Sequence, residues 1–68
     1  MRVLARLTCE TSEGDFICLE LTGPCGGTFL IEEFWNHELY SEHMHYGRAE
    51  ASKQFKNESI GLIDRVTI

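Results

Sequence analysis

A chain of 68 residues has room for one domain, residues 1–68, and little room for a deep substrate pocket beside a core. Eleven acidic residues against six basic ones give a net charge of −5. This charge disfavours direct binding to nucleic acid and to anionic membranes, and it favours a protein partner with a basic surface.

The three cysteines, Cys9, Cys18 and Cys25, are an odd number at wide spacing, unlike the disulfide framework of a small secreted domain. Charges at Arg2 and Arg6 interrupt the first segment, which is therefore not typical of a signal peptide. No apolar run approaches the ~20 residues of a membrane-spanning helix. We expect a cytoplasmic protein with reduced thiols.

The first third of the chain predicts a β-hairpin. Apolar and polar residues alternate over 3–10 and again over 17–22, which is the period of a strand. Between them, Gly14 in the left-handed conformation would close a three-residue loop as a type I turn with a bulge.

This loop fixes one register for the hairpin. Leu7 then lies opposite Leu19 on the apolar face, and Arg6 lies opposite Glu20 on the other face as an oppositely charged pair. Because turn, apolar pattern and charge agree on the same pairing, the sequence predicts this register in particular.

The rest of the chain predicts a break, a short strand, a helix and a last strand. Gly-Pro-Cys-Gly-Gly at 23–27 indicates the break, and 28–31 the strand. From 33 to 56 the spacing is helical. The apolar stripe of this helix comprises Tyr40, Met44, Gly47, Ala51 and Phe55. Residues 61–68 again alternate as a strand does.

The predicted fold class is therefore α+β, with the element order β-β-β-α-β. An antiparallel sheet of three to four strands is backed by one long helix, and a parallel pairing of the last strand, which would make the sheet mixed, stays open. Gly47 costs about 1 kcal/mol inside a helix, so we expect the helix to bend or break there.

A second stripe on the predicted helix is the candidate binding site. Trp35, Leu39 and Tyr46 lie well away from the first stripe at helical spacing. A two-layer domain buries one helix face, and Trp and Tyr are enriched at binding hot spots. The alternative is a helix that begins near Tyr40, with Trp35 folded back onto the core.

Acidic residues surround this second stripe. Glu38 and Glu42 are one helical turn apart, where like charges cost a helix about 0.2–0.5 kcal/mol. Acidic groups around an aromatic centre suit Arg and Lys on a partner. The candidate partner-binding residues are Glu32, Glu33, Trp35, Glu38, Leu39, Glu42 and Tyr46.

The histidines and cysteines predict no metal, cofactor or catalytic site. On a helix His43 and His45 would point apart, and the cysteines form no Cys-x-x-Cys pair. Nothing places a base beside Cys25. Surface histidines and small buried thiols explain His37 and the other five residues.

The sequence thus predicts a non-enzymatic protein-binding module that acts through an aromatic and acidic helix face. Its size and charge suit a small acidic inhibitor or adaptor, such as a phage-encoded antagonist of a host defence or nucleic-acid-handling complex. One alternative is a homodimeric structural or accessory protein whose second helix stripe forms the dimer interface. Another is a protein with a metal or thiol site.

Overall fold

The computed structural model describes residues 2–66 as a four-stranded antiparallel sheet followed by one helix. The elements are β1 (Val3–Glu10), β2 (Phe16–Cys25), β3 (Thr28–Trp35), β4 (Glu38–His45) and α1 (Arg48–Val66). The strands pair in chain order. The α+β class is confirmed, but the predicted order β-β-β-α-β is wrong, because the helix comes after all four strands.

The first hairpin has the predicted register. Leu7 pairs with Leu19, and Arg6 pairs with Glu20. The Arg6 Nε donates to Glu20 Oε2 over 2.7 Å, so the predicted charge pair is present. Gly14 has a φ of 91°, which is the positive value that the predicted loop requires.

The glycine-rich segment interrupts the sheet less than predicted. Strand β2 continues through Gly23 to Cys25, and only Gly26 and Gly27 form the turn. Their φ values of 61° and 83° are typical of a two-residue type I′ hairpin. Gly23 has a φ of 134°, and a Cβ there would lie 2.9 Å from the carbonyl oxygen of Thr28. The predicted break is therefore a second tight hairpin.

The prediction of a helix from residue 33 is wrong. The third strand continues to Trp35, and after a two-residue turn β4 returns along it. Asn36 and His37 form the turn with φ values of 52° and 72°. The Asn36 side chain fixes this turn, because its Oδ1 accepts the Phe16 amide over 2.9 Å and its Nδ2 donates to Asp15 Oδ1 over 3.0 Å.

The helix begins later than predicted and replaces the predicted last strand. The Ala51 amide donates to the Gly47 carbonyl over 2.9 Å, so Gly47 caps the start of α1 and neither bends nor breaks a helix. Residues 61–66 of the predicted strand are helical, and residues 67 and 68 lie outside the described range.

The core lies between α1 and one face of the sheet. Ala51 and Leu62 are fully buried there, and Phe55 packs beside them. Of the predicted apolar stripe, Tyr40 and Met44 belong instead to β4 and are exposed. The sheet side of the core is the inner face, which comprises Ala5, Leu7, Cys9, Ile17, Leu19, Leu21, Phe29, Ile31, Glu33 and Trp35.

Candidate protein-binding face

No helix or strand within residues 2–66 covers the opposite side of the sheet. Within residues 2–66 the only helix is α1, and its buried side chains join the inner-face core. Most side chains that alternate with the inner face therefore remain partly or fully exposed. This outer face comprises Arg6, Thr8, Phe16, Cys18, Glu20, Leu30, Glu32, Phe34, Leu39, Glu42 and Met44.

A charged row crosses all four strands in the middle of the outer face. The register places Arg6, Glu20, Glu32 and Glu42 side by side. The Arg6 guanidinium pairs with Glu20, whereas no ion pair to Glu32 or Glu42 occurs in the described part of the chain. The row thus holds more negative charge than the fold neutralises.

The pKa of Glu32 is raised in this row. Burial raises its pKa above the ordinary value for glutamate, and the neighbouring carboxylates of Glu42 and Glu20 raise it further. A hydrogen bond with Glu42 acts in the same direction. Like charges directly opposite each other on paired strands destabilise a sheet. A cation from outside the chain would relieve this repulsion.

Apolar residues flank the charged row on both sides. Phe34 pairs with Leu39 on one side, and Leu30 pairs with Met44 on the other. The edge-strand members of these pairs are the more accessible, with Leu39 54% exposed and Met44 56% exposed. Apolar side chains around a few charges are the usual content of a protein interface.

An open depression of about 400 Å³ lies at one end of the outer face. We call it the aromatic depression; its lining comprises Arg6, Thr8, Phe16, Cys18, Glu20, Phe34 and His37. The rings of Phe16 and His37 stack with their centroids 5.5 Å apart and 29° between their planes. Its walls therefore offer aromatic surface beside an ion pair.

Cys18 is the only thiol that lines the aromatic depression. Burial raises the pKa of Cys18, and the nearby Glu20 raises it further, while Arg6 acts weakly in the opposite direction. A raised pKa keeps the sulfur as a thiol near neutral pH, and a thiol is a poor nucleophile.

Two of the predicted partner-binding residues serve the fold. Glu33 lies on the inner face and is only 5% exposed. Its carboxylate accepts the Trp35 indole Nε1–H over 2.6 Å and lies 3.4 Å from the Arg65 Nη2. The Trp35 ring also contacts Tyr40 at a centroid distance of 5.7 Å. Glu33 is therefore occupied within the chain.

The other five predicted residues divide between two places. Glu32, Leu39 and Glu42 meet on the outer face, with Glu32 directly opposite Glu42. Glu38 is exposed opposite Trp35, and Tyr46, 79% exposed, lies between β4 and α1. The predicted helix face does not exist, because residues 32–45 belong to two strands and their turn.

Sequence reasoning missed the aromatic members of the outer face, Phe16 and Phe34. The signal for Phe34 was present, since it alternates with Ile31 and Glu33 in the manner of a strand. A third strand extended to residue 35 would have placed Phe34 beside Glu32, on the side away from Ile31.

The histidines and cysteines are arranged differently from the sequence prediction. His43 and His45 lie in β4 opposite Ile31 and Phe29, so they share one face instead of pointing apart. Within residues 2–66, no group of three or more His, Cys, Asp or Glu side chains could hold a metal ion. Cys25 is exposed at the end of β2.

No protein-family model, curated protein or solved structure matches the chain. In the part of the chain that the structure describes, no helix has the length and apolar character needed to cross a membrane. The site itself therefore carries the functional argument.

Proposed function

We propose that this chain is a non-enzymatic protein-binding module whose outer face binds a basic surface of another protein. The observation that supports this proposal is the charged row, in which Glu32 and Glu42 have no ion-pair partner within residues 2–66. The row lies between two apolar pairs on a face that no described element covers.

The two kinds of side chain have complementary roles in binding. Charges steer the encounter of the partners and set its salt dependence. Apolar side chains such as Phe34 and Leu39 lose water when the partner docks, which supplies most of the affinity. A cation placed between Glu32 and Glu42 would also remove the repulsion that the free protein carries.

The size of the face indicates the class of complex. Four strands about 4.8 Å apart and about eight residues long, at about 3.3 Å per residue, span about 500 Å² in projection. A typical stable interface buries about 800 Å² on each partner. The proposed complex is therefore at the small end of the range, as suits an inhibitor or adaptor that associates rapidly through charge. An antagonist of a nucleic-acid-handling complex, encoded by a phage, is the setting that this size and charge favour.

A charge reversal tests the proposal with a matched control. The test variant is Glu32→Lys with Glu42→Lys, on the outer face. The control is Glu13→Lys with Asp64→Lys, at exposed positions in the first loop and on α1. Both variants change the net charge equally, so a difference between them reports position rather than total charge.

Each protein is used to capture partners from a lysate of the organism that encodes the chain, at low and at high salt, with quantification by mass spectrometry. We expect the wild type and the control to retain the same basic protein at low salt, and the outer-face variant to retain at least about tenfold less, since losing two ion pairs of about 1 kcal/mol each exceeds that factor. Circular dichroism verifies that every variant is folded. Equal retention by the two variants would contradict the proposal.

A homodimer is the second candidate, and the exposed edge of the sheet favours it. Strand β4 is at the edge, and its Leu39, Tyr40 and Met44 are each more than half exposed. An exposed apolar edge strand is a template for pairing with another strand. Light scattering over a wide dilution range distinguishes the two: a mass that stays at twice that of the chain favours the homodimer.

A further inference from the structure

We infer that the aromatic depression receives an arginine side chain of the partner. The inference rests on the proposed function and adds the chemical identity of the group that docks. It combines three features of the outer face: aromatic walls, an adjacent carboxylate without a cation, and a cavity large enough for one long side chain.

The walls of the aromatic depression suit a flat, positively charged group. Phe16, Phe34 and His37 line it, with the Phe16 and His37 rings stacked. A guanidinium is planar and delocalised, and it stacks on aromatic faces with an additional attraction to the ring quadrupole. The cavity of about 400 Å³ leaves room for such a group and its aliphatic stem.

The charges next to the aromatic depression supply the partner for that guanidinium. Glu32 is two residues from Phe34 on the same strand, so both side chains stand on the same face about 7 Å apart along the strand. A guanidinium over Phe34 therefore directs its outer N–H groups toward the Glu32 carboxylate. Arg6 also lines the aromatic depression, but its charge is already paired with Glu20 at 2.7 Å, which reduces its repulsion of an incoming cation.

Lysine and neutral aromatic side chains fit this combination less well. The lysine ammonium is compact and strongly hydrated, and it has no planar surface to lie flat against a ring, so its contact with the aromatic walls is weaker. A neutral aromatic side chain would fill the aromatic depression but leave Glu32 beside Glu20 and Glu42 with no cation. Among the natural side chains, arginine is the one that best combines stacking on the rings with bidentate pairing to the carboxylate.

The test compares oligo-arginine and oligo-lysine peptides of equal length, which carry equal charge. Their affinities for the protein are measured by isothermal titration calorimetry at low salt. We expect the wild type to bind oligo-arginine about fivefold more tightly, which is the factor that one exposed cation–π contact of about 1 kcal/mol provides. Phe34→Leu keeps an apolar side chain but removes the ring, so this preference should fall to nearly one, with a larger loss of affinity for oligo-arginine than for oligo-lysine.

Two further variants keep the test decisive. Tyr46→Leu removes an exposed aromatic ring outside the aromatic depression and should keep the arginine preference. Phe16→Leu gives a second variant of the depression if Phe34→Leu does not fold, and it should also weaken the preference.

The outcomes separate this inference from the proposed function. Equal affinity for both peptides, abolished by Glu32→Lys with Glu42→Lys, would overturn the arginine inference and leave the outer face as a basic-protein site. An arginine preference that survives in both Phe16→Leu and Phe34→Leu would overturn it as well. Failure of the wild type to bind either peptide would contradict both.

Discussion

Glu32 and Glu33 are consecutive residues with opposite roles. Glu33 lies on the inner face, 5% exposed, with the Trp35 indole and the Arg65 guanidinium as donors. Glu32 lies on the outer face between Glu20 and Glu42, with no ion pair in the described part of the chain. Because successive side chains of a strand point to opposite faces, Glu33 is buried under α1 and Glu32 lies on the uncovered face.

The two faces differ in the same way as these two residues. On the inner face Ile17 and Leu19 have no exposed surface, and neither has Leu62 of α1, which packs in the same core; this is the burial that stabilises a small domain. On the outer face large apolar side chains stay accessible, and the acidic row repels itself. The inner face contributes stability, whereas the outer face costs stability and is available for binding.

The largest expected difference is between two leucines. Leu19→Ala should reduce the free energy of unfolding by about 2–5 kcal/mol, because it leaves a cavity in the core. Leu39→Ala should change it by less than about 0.5 kcal/mol, because Leu39 is a half-exposed surface residue. Urea denaturation followed by circular dichroism measures both. Similar losses would show that the two faces do not differ as described.

The next effect concerns Glu33. Glu33→Gln keeps one acceptor for the Trp35 indole but removes the charge opposite Arg65, so the free energy of unfolding should fall by about 1–3 kcal/mol. A double-mutant cycle with Trp35→Phe should give a coupling of at least about 0.5 kcal/mol, since the two groups share a hydrogen bond. Additive effects would show that this hydrogen bond does not hold the inner face.

The smallest expected change in the free energy of unfolding is an increase, at Glu32. Glu32→Gln should raise the free energy of unfolding by about 0.2–1 kcal/mol at neutral pH, because it removes a like-charge cross-strand pair with Glu42. Since the pKa of Glu32 is raised in the folded protein, the folded state binds more protons there than the unfolded state. The contribution of Glu32 to stability should therefore fall as pH rises through the range just above the ordinary glutamate pKa.

Chemical denaturation across that pH range provides the check. The difference in stability between Glu32→Gln and the wild type should be largest at neutral pH and shrink as the pH is lowered and Glu32 takes up its proton. A difference that does not vary with pH would contradict the assigned cause.

The first hairpin was predictable because three signals agreed. Gly14 set the loop, Leu7 and Leu19 set the apolar face, and Arg6 with Glu20 set the charge pair. Only one register satisfies all three, and the structure has that register.

The third hairpin, formed by β3 and β4, was not predictable from spacing. Trp35 with Leu39 and Tyr40 with Met44 are four residues apart, and a spacing of four places side chains on one side in a helix as well as in a regular strand. The Asn36–His37 turn has no glycine to indicate two positive φ values. Residues 28–35 form a strand by pairing with β2, and residues 38–45 form a strand by pairing with β3. Such pairing between distant segments cannot be read from local spacing.

The strand predicted over 61–68 was wrong for a different reason, since residues 61–66 are helical. Ile60, Gly61, Ile63 and Val66 are residue types that are more common in strands or turns than in helices. The helix forms because Leu62 joins Ala51 in the core, and burial outweighs local propensity. For the candidate site, composition identified Glu32, Leu39 and Glu42 but not the aromatic residues, because only strand pairing reveals which side chains share a face.

The most direct test of the account measures stability and binding on one variant, Glu32→Gln. The account predicts that its free energy of unfolding rises while its affinity for oligo-arginine falls about fivefold, which is the loss of one exposed charge pair of about 1 kcal/mol. These opposite changes would identify Glu32 as a residue that favours binding at the expense of the fold. An unchanged affinity would show that the outer face is not the binding surface, and a fall in stability would contradict the repulsion between Glu32 and Glu42.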